Sequence, residues 1–163
     1  MSNTPQFVAE LNRWVDDNAR KQPVQVLKKV CQDAIRGLVI NTPVGNPEAW
    51  AINEGRRARG LPIIRRAGYV GGHMRRNLQA NINTPLRTEL PGVDPSGARV
   101  TQEMRAVVAT ITRPVRVHFT CPVPYAEVIE YGSGSKKPWS KQAPNGVFGP
   151  TLEGLRQLYA VRR

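Results

Sequence analysis

The sequence predicts a single α+β domain over residues 1–163, in which helices cover a small, mostly antiparallel sheet. Three patterns carry this prediction. Apolar residues recur at helical spacing over residues 4–17 and again over the longer stretch 24–40. Residues 115–120 alternate between apolar and polar side chains, as a half-buried strand does. Residues 150–160 close the chain with leucines at helical spacing.

The two N-terminal stretches predict a long helix pair, kinked near Lys21 and packed on the sheet. Pro23 is the cause of the kink, since proline lacks a backbone donor and clashes with the carbonyl four residues before it. A second strand is predicted at residues 77–82. Short helices are predicted at residues 100–111, where β-branched residues would also suit a strand, and at residues 125–131, where Gly132 ends the helix.

Two stretches rich in glycine, proline and charge are predicted to be extended loops, at residues 54–66 and 133–145. A further loop at residues 84–98 contains Ser96, which can cap the helix that follows. The glycines around Tyr69 have neither the dinucleotide fingerprint nor the lysine of a Walker loop. We therefore expect Gly68, Gly71 and Gly72 to allow a close approach of backbone.

The formal net charge of +12 comes from 24 Lys and Arg against 12 Asp and Glu. Much of the excess lies between Gly55 and Thr88, where arginines recur and no acidic residue interrupts them until Glu89. Such a run favours a polyanionic neighbour, either nucleic acid or an acidic protein surface. The simpler interpretation is that the arginines keep a loop solvated.

The sequence lacks a convergent set of reactive side chains. His73 and His118 are far apart, and Cys31 and Cys121 fit neither a disulfide framework nor a metal-ligand spacing. His118 and Cys121, three residues apart, would point to opposite faces of a strand. We therefore expect no metal at these positions, and reduced cysteines in a chain made in the cytoplasm.

Glu127 and Glu130 would share one face of a helix, and paired carboxylates can do acid and base chemistry. A solvated face, or an ion pair with Lys136 or Lys137, is the better interpretation. No stretch approaches the roughly 20 apolar residues that cross a bilayer, and the start lacks the pattern of a secretory signal. The sequence predicts no enzyme, no cofactor and no membrane contact.

Three blocks of sequence resemble one protein family when they are taken in order. The blocks are TPVGN at residues 42–46, GYVGGHMRRN at residues 68–77, and YAEVIEYG followed by QAPNGV at residues 125–147. Together they resemble the head-to-tail joining proteins of long-tailed bacteriophages, also called tail-completion or neck proteins. The likeness extends over nearly the whole chain, with longer loops at residues 56–66 and 133–141 than the family pattern has.

The resemblance implies a structural virion protein of the neck, made in the host cytoplasm, which joins the DNA-filled head to the tail. It implies a homo-oligomeric ring, sixfold or twelvefold, that contacts portal-side connector or tail-terminator proteins and packaged DNA. The alternative is a basic nucleic-acid-binding protein that uses residues 56–76. The residues expected to contact neighbouring proteins are Arg65, Arg66, Tyr69, Lys136, Lys137 and Trp139, and those expected to face the channel or DNA are Arg56, Arg57 and Arg59.

Overall fold

The computed structural model describes residues 22–132 and 140–159 of the chain. Within them, six α-helices and a two-stranded antiparallel sheet confirm the predicted α+β class. The predictions for a helix at residues 4–17, a kink near Lys21 and a loop at residues 133–139 lie outside the described residues. Pro23 is the second residue of the long helix as described.

The elements predicted within the described residues occur in the predicted order, and two further helices, Ala51–Ala58 and His73–Arg76, were not predicted. The helices are α1 (Gln22–Asn41), α2 (Ala51–Ala58), α3 (His73–Arg76), α4 (Ala98–Ala109), α5 (Ala126–Tyr131) and α6 (Phe148–Tyr159), with a 3-10 helix at Pro47–Ala49. The strands are β1 (Gln79–Ile82) and β2 (Val117–Thr120), each starting two residues later than predicted.

The core lies between α4 and the sheet on one side and between α1 and α6 on the other. In the sheet, Gln79 pairs with Thr120 and Ile82 pairs with Val117. α4 packs on β1 with Val100, Met104 and Val108, which are all at most 1% exposed. α1 packs mainly against α4 and α6, so the long helix reaches the sheet through α4.

α1 and α6 come unusually close at Gly37. A Cβ atom at Gly37 would lie 2.8 Å from Cγ2 of Thr151, so a larger side chain would push the two helices apart. Thr151 itself is buried, donates to the carbonyl of Val147 and accepts from Asn41 Nδ2 at 3.0 Å. These contacts fix the C-terminal helix against the end of the long helix.

One loop prediction is wrong in part. Residues 54–58 of the predicted loop 54–66 belong to α2, and only the following residues are irregular. The glycine and the charges that favoured a loop do not prevent the helix, because arginine, glutamate and alanine are good helix formers. Gly60, with a φ of +67°, then turns the chain back. Residues 140–145 contain no helix or strand, as predicted.

Candidate interaction surface

Backbone segments from all three sequence blocks meet at one place, which we call the junction (Val44, Gly45, Gly71, Gly72 and Gln142). The N–H of Gly72 donates to the carbonyl of Val44 at 2.5 Å. The N–H of Gly45 donates to Oε1 of Gln142 at 3.2 Å. Segments nearly a hundred residues apart in sequence are therefore held together at the end of α1.

The expected close approach of glycine backbone is found at Gly71 and Gly72. A Cβ atom at Gly71 would collide with the carbonyl of Val44, and one at Gly72 would lie 2.6 Å from the backbone nitrogen of Pro95. Gly72 also has a φ of +100°, which glycine adopts at little cost. Gly68 differs, since a Cβ there would meet nothing within 4 Å and only its φ of +69° favours glycine.

Asp94 and Arg75 secure the loop that closes over the junction. Asp94 accepts hydrogen bonds from the backbone N–H groups of Gly97 and Val100, each at 2.9 Å, and so caps the start of α4. Ser96, the predicted cap, accepts only from Ala98 at 3.2 Å. Arg75 donates to the carbonyls of Thr42 and Pro95, and its burial lowers the pKa of its guanidinium.

Residues 47–70, which we call the arm, project from the junction. Among the helices and strands of the described residues, α2 packs mainly against the 3-10 helix that precedes it. The ring of Trp50 meets that of Tyr69 edge to face, with centroids 5.3 Å apart, and joins the two ends of the arm. Lys141 forms a salt bridge with Glu54, which ties the arm to the loop before α6.

Asn53, which no sequence pattern indicates, organises the arm. Its side chain is 0% exposed. Nδ2 donates to the carbonyls of Pro47 and Ile64, at 2.7 and 2.8 Å, and Oδ1 accepts from the N–H of Ile64 at 2.7 Å. One amide thus joins both flanks of the arm to its helix.

The arginines of the arm are mostly engaged within it. Arg56 donates to the carbonyl of Pro62 and Arg59 to that of Gly55. Arg57 and Arg65 converge on Glu48, with Arg65 at 2.6 Å from its carboxylate and Arg57 donating to its carbonyl. Arg66 is exposed, and its side chain has no partner among the described residues.

Large apolar side chains are also exposed on the arm. Ile52 is 58% exposed and Val70 55%. Three others, Leu61, Ile64 and Tyr69, are each exposed by more than a third. The arm therefore combines basic residues with exposed apolar side chains, a combination that also occurs at protein interfaces. The remaining predicted contact residues, Lys136, Lys137 and Trp139, lie outside the described residues.

The two glutamates of α5 have different environments. Glu130 accepts from the backbone N–H groups of Val147, Phe148 and Gly149, at 2.6, 2.9 and 2.7 Å, and caps the start of α6. Glu127 is exposed and has no partner among the described residues. The expectation that both glutamates face solvent is therefore wrong for Glu130, because the chain returns 17 residues later to place a helix end on it.

Glu130→Ala is expected to lower the free energy of unfolding by about 1 to 3 kcal/mol, because three N–H donors at the start of α6 would lose their acceptor. Glu127→Ala is the matched control, one turn away on the same helix, and should change stability by less than about 0.5 kcal/mol. Urea denaturation followed by circular dichroism measures both. Equal effects of the two substitutions would contradict the capping role.

The histidines and cysteines do not form a reactive pair. Burial raises the pKa of the Cys121 thiol to about 11, so the thiol is protonated at neutral pH. His73 contacts the carbonyl of Gly92 and the carboxylate of Glu89 instead, and these hydrogen bonds raise the pKa of its imidazole. In the described ranges, no three His, Cys, Asp or Glu side chains form a group that could hold a metal ion.

Among the helices of residues 22–132 and 140–159, none is long and apolar enough to cross a membrane. In comparisons with known proteins, no family model matches the chain, and no curated protein or solved structure is significantly similar to it.

Proposed function

We propose that this chain is a structural protein of a bacteriophage neck, where a ring of copies joins the DNA-filled head to the tail. The junction is the observation that supports this proposal. Each residue of the junction belongs to one of the three blocks that resemble neck proteins, and the junction brings those blocks into contact. If the likeness of these blocks were due to chance, there would be no reason for the blocks to lie together in the folded chain.

The arm is the proposed contact with neighbouring subunits or with the adjoining ring. Arg65 is 70% exposed on its side chain and Arg66 is exposed, beside the apolar surface of Ile64 and Val70. An acidic and apolar surface on the neighbouring protein would be complementary to this combination. Tyr69 is bound to the base of the arm through Trp50 and exposes more than a third of its surface, which suits an interface residue.

The alternative, a nucleic-acid-binding protein that uses residues 56–76, has less support. Arg75 donates to the carbonyls of Thr42 and Pro95, and Arg76 is 5% exposed and paired with Glu103 at 2.7 Å. Arg56, Arg57 and Arg65 bond within the arm. Few guanidinium groups in this segment remain free to meet a phosphate.

Asn53→Ala is expected to loosen the arm without unfolding the core. The loss of its three hydrogen bonds should favour local opening by about 2 kcal/mol, which speeds tryptic cleavage after Arg57, Arg59, Arg65 or Arg66 roughly 30-fold. Limited proteolysis with mass spectrometry measures the rate, and circular dichroism should show a nearly unchanged melting temperature. Ile52→Ala, an exposed neighbour on α2, is the control and should be cleaved like the unsubstituted protein.

The neck role is tested by deleting the gene from its phage and viewing the lysate by negative-stain electron microscopy. We expect filled heads lying apart from finished tails. Complementation with the full chain should restore joined particles, and complementation with a chain lacking residues 59–66 or 133–139 should not. Normal joined particles in the deletion lysate would refute the neck role. Joined particles with both shortened chains would refute the assignment of these segments as contacts.

A further inference from the structure

Helices α1 and α4 run antiparallel, so this part of the domain has two distinct ends. Gly97, at the start of α4, lies against Val39 near the end of α1. Lys28, near the start of α1 as described, donates from Nζ to the carbonyl of Ala109 at the end of α4, at 2.9 Å. Because a helix rises about 1.5 Å per residue, this second end lies roughly 20 Å from the junction.

Basic residues lie at this second end, which we call the basic pole (Lys28, Arg105, Arg113 and Arg116). Arg105 lies one turn before the end of α4, and Arg113 and Arg116 lie between α4 and β2. Arg113 and Arg116 are at most about 11 Å apart at Cα. The side chains of all three arginines are exposed and have no hydrogen bond or ion pair with any described residue.

The backbone of the basic pole is held by the fold. Ile111 is 2% exposed, and Val115 packs against the core. The carbonyl of Arg116 accepts from the N–H of Asn83 at 2.8 Å, which continues the pairing of β1 and β2 by one residue. Anchors on both sides of Arg113 and Arg116 therefore present these arginines to solvent from a fixed backbone.

Within residues 22–132 and 140–159, the acidic side chains are bonded elsewhere and do not pair with these arginines. Every Asp and Glu side chain in the described part of the chain, except that of Glu127, accepts a hydrogen bond or forms an ion pair. On α4 the acid is Glu103, which is shared by Arg76 and Arg99. On α1 the acid is Asp33, which is bonded to Lys29 and Tyr159.

Helix capping explains only part of the basic pole. A cation near a helix C-terminus interacts favourably with the last carbonyls, and Lys28 does this at Ala109. Arg113 and Arg116 lie beyond the helix and contact no carbonyl within the described residues. Three exposed guanidinium groups that pair with no acid of the described residues stand on a fixed backbone in a chain of net charge +12. They are suited to a regularly charged polyanion.

We propose that the basic pole binds the phosphate backbone of DNA without reading its sequence. The arginines would replace counterions along the duplex, and each contact would add to the salt dependence of binding. This places the DNA contact at the opposite end of the domain from the arm. The proposal does not depend on the neck role, since it concerns the purified protein alone.

The test compares two triple variants of the full chain with equal changes in charge. The pole variant carries Arg105→Ala, Arg113→Ala and Arg116→Ala. The dispersed variant carries Arg36→Ala, Arg87→Ala and Arg156→Ala, which are exposed arginines outside both the arm and the basic pole. Binding to a fluorescein-labelled duplex of mixed sequence is followed by anisotropy between about 50 and 200 mM NaCl, after circular dichroism has shown that both variants are folded.

We expect the pole variant to bind roughly tenfold or more weakly and to lower the slope of log affinity against log salt by about two to three. The dispersed variant should keep nearly the unsubstituted slope. Equal losses in the two variants would overturn the proposal, because net charge alone would then explain binding. Absence of DNA binding, or displacement of the duplex by polyglutamate at equal charge concentration, would also overturn it, the latter in favour of an acidic protein partner.

Discussion

Gly72→Ala should lower the free energy of unfolding by about 2 to 5 kcal/mol, one of the two largest effects expected in this chain. A φ of +100° is strained for alanine by about 1 to 2 kcal/mol. The new Cβ would also lie 2.6 Å from the nitrogen of Pro95 and 2.7 Å from the carbonyl carbon of Asp94, and this overpacking adds about 1 to 3 kcal/mol. Chemical denaturation measures the loss.

Gly68→Ala is the matched control for this prediction. Gly68 has a φ of +69°, so alanine is strained there as well, but its Cβ would meet nothing within 4 Å. We expect a loss of about 1 to 2 kcal/mol from the backbone conformation alone. If the two substitutions cost the same, the close packing of the loop on Gly72 does not contribute to stability.

Asp94→Ala should lower the free energy of unfolding by about 2 to 4 kcal/mol. The substitution leaves the N–H of Val100 without its acceptor, and leaves the N–H of Gly97 with only the backbone carbonyl of residue 94. It also removes the negative charge beside the half-buried Arg75. Ser96→Ala removes the weaker cap and should cost under about 1 kcal/mol. Thermal unfolding of both variants, followed by the circular dichroism signal of the helices, provides the comparison.

The contribution of Asp94 should also depend on pH. Burial by itself would raise the pKa of the Asp94 carboxyl, but the hydrogen bond from Val100 and the neighbouring donors outweigh it, so the pKa is lowered in the folded protein. A lowered pKa means that the stabilisation is complete above the unfolded pKa of about 3.9 and is lost as the pH falls through the folded value. Asp94→Asn tests this directly.

The stability difference between the unsubstituted protein and Asp94→Asn should therefore be constant from neutral pH down to about pH 5 and should shrink below about pH 4. Urea denaturation at a series of pH values measures it. A difference that persists unchanged at the lowest pH would show that the charge of Asp94 does not contribute.

The sequence was sufficient to predict elements whose partners are near in the chain. The spacing of Val100, Met104 and Val108 predicts α4, because each of these apolar residues follows the last by four positions, about one helical turn. The alternation of apolar and polar residues over 115–120 predicts β2, because successive side chains of a strand point to opposite faces. Gly71 and Gly72 could be predicted as sites of close approach, since no other residue type tolerates such contact.

The candidate surface was predicted only in outline. The arginine-rich segment was recognised, yet its first part proved to be α2, and its order depends on Asn53, which bonds to a residue 11 positions away. No sequence pattern indicates Arg105, Arg113 and Arg116 as a group. They are separated in the sequence and come to the same end of the domain only because α4 ends beside α1. Which acidic side chains already have a partner depends on the fold and cannot be read from the sequence.

The amino-acid sequence by itself determined the fold class, the periodic helices and strand, the excess of positive charge and the glycines at the junction. Only the tertiary structure decided which charges are free. Glu130 caps a helix whose first residues lie 17 or more positions away, and Arg75 is bonded to a carbonyl 33 residues away. The physical reason is that periodicity reports neighbours within one or two turns, whereas these hydrogen bonds depend on the path of the whole backbone.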